Sequence, residues 1–265
     1  MTTLSSFINK HHRGGTVVEK VIYDPNEQKK IGMLTPSSNT VLEPICSNML
    51  AGLEKTVTVH YGRFRVTKIS LEDDALSQFD DEPMLEASRL LADADVDVIA
   101  WNGTSGGWLG FDTDVRLCDR IKQETGICAT TSMLSQMKLF RKDHVKRIHL
   151  ITPYTKDIQE KLIREYAKYG IEVVNNTCLE QYVNRSFSLI PHERIEEMFA
   201  QVCTEPADGI SVVCTNFPAM WDVKAMEEKY GITVYDTINT VVWDCLDMAG
   251  LDPALVQNWG RLFEK

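Results

Sequence analysis

An internal repeat is the feature of this sequence that most restricts its fold. Two short apolar runs end in Thr-Pro, at residues 31–36 and 148–153, and each is followed at a similar distance by a second apolar run, at residues 97–102 and 208–213. Each second run begins with an Asp and leads into small polar residues, and helical patterns come after both copies. Self-similarity at a fixed spacing is the signature of a repeated supersecondary unit. The sequence therefore predicts a duplicated α/β unit of about a hundred residues.

The alternation of strand and helix patterns predicts the fold class. Short apolar strands alternate with amphipathic helices through both halves, which is typical of parallel sheets flanked by helices. We predict an α/β protein of two pseudo-symmetric domains, each a parallel sheet flanked by helices, with the active site in the cleft between them. The predicted parts are an N-terminal extension at 1–28, a first domain at 29–130 plus 237–265, and a second domain at 131–236.

The ends of four predicted strands define the candidate site. Ligands of parallel α/β sheets bind beyond the carboxyl ends of the strands. Four loops follow such ends, at 36–39, 102–105, 153–155 and 214–216. If the two halves face one another, these loops converge on one cleft. Ser37 or Ser38 is placed to cap a helix that starts near Asn39, and the N-terminus of that helix would offer an anion site.

Composition and charge argue against several classes of partner. With 38 acidic and 28 basic residues, the net charge of −10 argues against nucleic acid or an anionic membrane as the main partner. The sequence has neither an apolar run of membrane-spanning length nor the pattern of a signal peptide, so we expect a cytoplasmic protein. The seven cysteines are odd in number and scattered, which predicts neither a disulfide framework nor a zinc site.

Missing motifs narrow the chemistry further. The sequence lacks the glycine fingerprint of dinucleotide sites, the P-loop, the His-Glu-x-x-His zinc motif and the Gly-x-Ser-x-Gly of serine hydrolases. We therefore expect no cofactor and no metal. A carbanion formed beside a carboxylate would then have to be stabilised by oriented hydrogen-bond donors. The glycine-rich stretch at 103–110 would let the backbone approach a ligand closely.

Five motifs carry a resemblance to a known superfamily. They are Thr-Pro-Ser-Ser-Asn-Thr at 35–40, Gly-Thr-Ser at 103–105, Tyr154 after a strand end, Cys-Thr-Asn at 214–216 and Trp-Gly-Arg-Leu-Phe at 259–263. Over residues 30–265 the chain resembles the aspartate/glutamate racemase superfamily, in the branch of arylmalonate decarboxylase and maleate cis-trans isomerase. The resemblance implies a cofactor-independent enzyme whose partner is a small carboxylic acid.

The resemblance also implies roles for individual residues. Racemases and isomerases of this superfamily use two opposed cysteines, one from each half. Here Cys214 occupies one catalytic position and Gly103 the other, as in the decarboxylase. That arrangement favours a decarboxylase-type lyase, which acts on a malonate-like acid through an enediolate with Cys214 as the proton donor. The residues expected to bind the substrate are Ser37, Asn39, Thr104, Ser105, Tyr154, Thr215 and Asn216.

Three alternatives remain open at the level of sequence. Asn39 matches the isomerase loop and would bind a second carboxylate or amide, which favours a maleate-type isomerase, or a related racemase, with Cys214 as the nucleophile. A thiol hydrolase of a small amide or imide would use Cys214 to attack a carbonyl group. A binding module for small acids would need no chemistry from Cys214. Each of these forms is compatible with a homo-oligomer.

Overall fold

The computed structural model describes residue 24 and residues 26–72 and 77–264. Most of the predicted N-terminal extension at 1–28 therefore lies outside the described residues. Within the described ranges, no helix is long and apolar enough to cross a membrane.

The first sheet consists of four parallel strands in the order β2-β1-β3-β4. These strands are β1 (Lys29–Pro36), β2 (Val57–Phe64), β3 (Val98–Trp101) and β4 (Ala129–Thr131). Ile31 of β1 is in register with Val59 on one side and with Val98 on the other. All four residues of β3 are buried, as expected of a parallel strand that helices cover on both faces.

The second sheet repeats the order of the first, strand by strand. Its order is β6-β5-β7-β8, again with all pairs parallel. The strands are β5 (Arg147–Thr152), β6 (Glu172–Cys178), β7 (Gly209–Val212) and β8 (Val234–Asp236). The predicted α/β class with two parallel sheets flanked by helices is therefore confirmed.

The helices lie between the strands along the chain and cover the two sheets. In the described residues they are α1 (Leu42–Met49), α2 (Asp81–Ala92), α3 (Gly106–Leu109), α4 (Phe111–Thr125), α5 (Ser132–Lys142), α6 (Lys156–Lys168), α7 (Asn184–Phe187), α8 (His192–Val202), α9 (Val223–Tyr230) and α10 (Thr237–Met248). Short 3₁₀ turns lie at Ser77–Phe79, Pro218–Trp221, Pro253–Leu255 and Arg261–Phe263.

Helix α1 starts later than the sequence predicts, and a different residue satisfies its first turn. The helix begins at Leu42 and not near Asn39. The side-chain oxygen of Asn39 accepts hydrogen bonds from the backbone N–H groups of Val41 (2.9 Å) and Leu42 (3.0 Å). Asn39 therefore takes the capping role predicted for Ser37 or Ser38, because its carbonyl oxygen reaches the otherwise unpaired donors.

Helix α10 lies between the two halves. All of its residues from Thr237 to Leu246 are buried, and it contacts β3 and β4 of the first sheet, β8 of the second sheet and helix α5. Its Asp244 accepts hydrogen bonds from the hydroxyl groups of Thr130 and Ser135, both at 2.8 Å. Since α10 touches strands of both sheets, the assignment of 237–265 to the first domain stays a prediction.

A short antiparallel bridge links the segments that follow β2 and β6. Lys68 pairs with Val183, and the Ile69 N–H donates to the Tyr182 carbonyl at 2.8 Å. Because β2 and β6 belong to different sheets, this Lys68–Val183 bridge holds the carboxyl-end edges of the two sheets against each other.

Candidate active site

Loops from three strand ends meet directly at the boundary between the halves. The Asn39 amide follows β1 and donates to Thr215, to the carbonyl oxygen at 3.0 Å and to the hydroxyl oxygen at 3.1 Å. The Thr215 hydroxyl in turn donates to the carbonyl of Asn102, which follows β3, at 2.9 Å. Asn39 and Thr215, both predicted from sequence, are thus neighbours although they lie in different halves of the repeat.

Cys214 lies two residues beyond β7 and is almost fully buried, with 2% of its surface exposed. Its backbone N–H donates to the Thr237 hydroxyl oxygen at 3.2 Å. Its thiol is hydrogen-bonded to the Tyr154 hydroxyl, which lies 2.7 Å from the Thr104 hydroxyl. The chain Cys214–Tyr154–Thr104 therefore connects the second half to the first through polar atoms.

Burial controls the protonation of this chain of groups. It raises the pKa of the Cys214 thiol to about 12, and the Tyr154 hydroxyl lowers that pKa only in part. Burial also raises the pKa of Tyr154 well above its ordinary value, and the neighbouring Cys214 raises it further. Desolvation disfavours the charged form of both groups. At neutral pH the site therefore holds a thiol and a neutral phenol.

Gly103 lies against the indole ring of Trp101. A Cβ atom placed on Gly103 would lie 1.9 Å from Cζ2 and 2.3 Å from Cε2 of that ring. The indole is 1% exposed, and its centroid lies 4.9 Å from the ring of Phe64. Any side chain at position 103 would require the indole to move, since such approaches are far inside van der Waals contact.

The remaining residues of the 103–110 stretch form one wall of the site. Ser105 is buried, and its hydroxyl oxygen accepts a long hydrogen bond from Trp101 Nε1 at 3.4 Å. Trp108 packs edge-on against Tyr154 with ring centroids 5.4 Å apart, and Tyr154 packs in the same way against Phe187 at 5.6 Å. The indole N–H of Trp108 is buried and has no partner among the described residues. The wall is therefore aromatic, with one free donor.

Asn216 and Asn184 form a second polar connection between the halves. Asn216 accepts from the backbone N–H of Thr40 at 2.9 Å and donates to the Asn184 carbonyl at 2.6 Å. The Asn184 amide donates to the Ser38 hydroxyl at 2.7 Å. Sequence reasoning missed Asn184 because no periodic pattern or motif marks residues 180–190. Ser37, which was predicted to bind substrate, is exposed, and its hydroxyl oxygen accepts from the backbone of Val66 at 3.2 Å.

The anion site predicted at the start of α1 is occupied by the protein itself. Asn216 accepts the Thr40 N–H, and Asn39 accepts the N–H groups of Val41 and Leu42. These donors are therefore not free for a ligand, because each already has an amide oxygen. Across residues 26–72 and 77–264, no cluster of three or more His, Cys, Asp or Glu side chains could hold a metal ion.

Comparisons with known proteins identify the family and the fold. The family model described as arylmalonate decarboxylase matches residues 61–263. A maleate isomerase from Geobacillus stearothermophilus is 26% identical over 245 residues, which cover 88% of this chain and 96% of that protein. The crystal structure of the maleate isomerase Iso from Pseudomonas putida S16 superposes with a TM-score of 0.82 at 22% identity, over 89% of this chain and 98% of that one.

An arylmalonate decarboxylase structure superposes with a TM-score of 0.71 at 18% identity, over 89% of this chain and 99% of that one. These likenesses show the fold, and the family match covers most of the chain. The protein belongs to the arylmalonate decarboxylase family, within the aspartate/glutamate racemase-like branch whose curated relatives are enzymes and include maleate isomerases.

Proposed function

We propose that this protein is a cofactor-independent lyase that releases carbon dioxide from a small malonate-like acid, with Cys214 as the proton donor. The observation that carries the proposal is the position of Trp101. Its indole fills the space that a side chain at Gly103 would need. By the family resemblance, Gly103 is the position at which a two-cysteine racemase or isomerase would have its second thiol. A single thiol can protonate one face of an intermediate.

The protonation state of Cys214 supports a donor role. A thiol whose pKa is raised to about 12 by burial is protonated at neutral pH. It can therefore transfer a proton to a carbanion, whereas a nucleophile would need the thiolate. The hydrogen bond from Tyr154, itself bonded to Thr104, orients the thiol for that transfer.

The walls of the site fit the other two needs of a decarboxylation. Hydrogen-bond donors that point at the developing enediolate stabilise it by about 3 to 4 kcal/mol each. The Trp108 N–H is free for this, and Thr104 and Tyr154, which are bonded to each other, would turn toward the bound substrate. The departing carboxylate is favoured as neutral carbon dioxide in apolar surroundings. The indole of Trp101 and the ring of Phe64, 4.9 Å apart, offer such surroundings.

A maleate-type isomerase is the second candidate, because the curated relative from Geobacillus stearothermophilus is a maleate isomerase. It would need Cys214 to add to an alkene as a thiolate. Asn39 would have to bind a substrate carboxylate, yet its amide donates to Thr215 and its oxygen caps α1. The lyase requires neither a thiolate at Cys214 nor an Asn39 side chain released from its present partners.

The test is turnover of a panel of arylmalonates and maleate in deuterated water. We expect release of carbon dioxide with one deuterium placed on a single face of the product, and loss of that activity in Cys214→Ser. Cys203→Ser is the matched control, because Cys203 is a half-buried thiol of the same half and lies outside the site. Fumarate from maleate would favour the isomerase, and full turnover by Cys214→Ser would refute both proposals.

A further inference from the structure

Asp236 ends strand β8, next to the strand that delivers Cys214. In the ladder between β7 and β8, Asp236 is in register with Val212, two residues before the cysteine. The next residue, Thr237, accepts the backbone N–H of Cys214 at 3.2 Å. The end of β8 therefore holds the loop that carries the thiol.

The carboxyl group of Asp236 is completely buried and only half used. One oxygen accepts the backbone N–H of Ile238 at 2.7 Å and caps α10. The other oxygen, Oδ2, has no hydrogen-bond partner among the described residues. An unpaired buried polar atom costs free energy, which a structural cap alone does not explain. Such an atom calls for an explanation, and a role in proton transfer is one.

The surroundings of Asp236 keep it protonated. Burial raises its pKa to about 8, and the hydrogen bond from Ile238 opposes this only in part. The titratable groups on which its charge acts are Cys214, Tyr154 and Cys46, from three different segments, and it raises the pKa of each. Among the described residues, no cation lowers the pKa of Asp236 in turn. At neutral pH the group is a carboxylic acid with a proton to give.

The lyase step leaves a thiolate that has to be protonated again. When the S–H bond of Cys214 breaks and its proton goes to the enediolate carbon, a buried anion remains. Burial raises the pKa of that thiol to about 12, while the pKa of Asp236 is raised to about 8. Proton transfer from the carboxylic acid to the thiolate therefore runs downhill.

We propose that Asp236 reprotonates Cys214 after each turnover: the O–H bond at Asp236 breaks, the S–H bond at Cys214 forms, and the carboxylate regains its proton from water when the product leaves. The inference rests on the proposed role of Cys214 as the proton donor. Asp236 acts on the thiol and does not touch the substrate, so its role is to restore the proton on Cys214. Acid and base groups usually exchange a proton across a direct hydrogen bond or through one water molecule.

The decisive variant is Asp236→Asn, which keeps the oxygen that caps α10 and removes the proton. We expect turnover at neutral pH to fall about 100-fold, within the range for a lost acid–base group. In the wild type, turnover should decline as the pH rises through about 8, where Asp236 ionises, and this alkaline decline should be absent from the variant. Asp222→Asn is the control, because Asp222 is a buried carboxyl in the same half that pairs with His192.

A second measurement needs no substrate. The ultraviolet absorbance of the Cys214 thiolate can be isolated as the difference between each protein and its Cys214→Ser counterpart over a pH titration. Removing the Asp236 charge should let the thiolate form at lower pH, so the variant would combine a lower thiol pKa with slower turnover. A purely structural role of the cap would move neither quantity, because Asn retains it.

The outcomes separate the two proposals. Loss of turnover in Cys214→Ser together with an unchanged alkaline decline in Asp236→Asn would overturn only the role of Asp236. Retained turnover in Cys214→Ser would overturn the proposed function itself. If Asp236→Asn does not fold, Asp236→Ser offers a shorter capping oxygen and is measured in the same way. An unchanged thiolate titration in either folded variant also overturns the inference.

Discussion

Trp101 and Gly103 have to be considered together, because each explains the other. Glycine is the one residue that leaves room for the indole at this point, since even a single Cβ would lie 1.9 Å from the ring. The sequence shows the glycine and not the ring that covers it, because the contact depends on the rotamer of a side chain two residues earlier. The physical reason for a glycine at position 103 is thus visible only in the structure.

Gly103→Cys should therefore be destabilising and not simply add a second thiol. We expect the free energy of unfolding to fall by about 1 to 3 kcal/mol, the usual cost of overpacking a filled core. Urea denaturation measures it. Combining the change with Trp101→Leu should recover part of the loss, because the smaller side chain frees the space.

Gly62→Ala is the matched control for that experiment. Gly62 lies in β2, and a Cβ there would come no closer than 3.3 Å to its neighbours, so the substitution should cost less. A Gly103→Cys protein as stable as the wild type would show that the indole moves freely. Packing against Trp101 would then not be the reason for a glycine at position 103.

For single residues, the sequence predicted which polar side chains lie at the site better than it predicted their contacts. Cys214, Thr104 and Tyr154 were predicted from strand ends and resemblance, and their side chains form one connected chain. Asn184 and Asp236 were not predicted. Asn184 joins the cluster by a contact 146 residues away along the chain, and Asp236 is marked by the absence of a partner. Neither property leaves a local pattern.

At the scale of elements, helix α1 shows that a local sequence pattern can predict a helix cap correctly and still assign it to the wrong residue. Thr-Pro-Ser-Ser-Asn predicts a strand end followed by a capped helix, and both are present. The two serines are instead drawn to the Val66 carbonyl, which Ser38 reaches at 2.6 Å. Because Val66 binds both serines, Asn39 caps the helix, and the spacing of residues in the sequence does not reveal this competition.

Asn39 should stabilise the protein in two ways: its side-chain oxygen caps α1, and its amide group binds Thr215 of the other half. Asn39→Ala removes both the cap of α1 and the donors to Thr215. A lost cap costs about 0.5 to 2 kcal/mol, and each lost hydrogen bond adds about 0.5 to 1.5 kcal/mol. With two such bonds, we expect a total loss of about 1.5 to 5 kcal/mol in the free energy of unfolding, measured by urea denaturation.

Asn39→Asp separates these two contributions. Aspartate keeps an oxygen for the N–H groups of Val41 and Leu42, which also favour a negative charge. It cannot donate to the carbonyl of Thr215. Its stability should lie between those of the wild type and Asn39→Ala, and equal stability of the two variants would contradict a capping role.

On the scale of the whole molecule, the repeat was the strongest guide. Two similar halves, each with a parallel sheet, were predicted from the duplicated motifs, and the structure shows two such sheets with the same strand order. Short elements between longer ones, such as α3 and α7, were missed because four residues carry too little periodicity. How α10 is shared between the sheets also could not be predicted, since its buried faces serve two partners.

Two buried carboxyls should make the stability of the whole protein depend on pH in an unusual direction. Burial raises the pKa of Asp114 to about 7 and that of Asp236 to about 8, from an ordinary value of 3.8. In the unfolded chain these groups ionise near that ordinary value, so the folded state binds more protons between about pH 4 and about pH 8. Their contribution to stability is complete below about pH 4 and is lost as the pH rises through their folded pKa values.

Each group should therefore reduce the free energy of unfolding by about 1.4 kcal/mol per pH unit within its window. The double variant Asp114→Asn and Asp236→Asn should show a flatter dependence than the wild type, and urea denaturation at several pH values measures the difference. Comparing variant with wild type cancels the contribution of other groups, such as His149, whose pKa burial lowers. Parallel curves would mean that water reaches these carboxyls. The site would then be open, and the protonated states assigned to Cys214 and Asp236 would lose their physical basis.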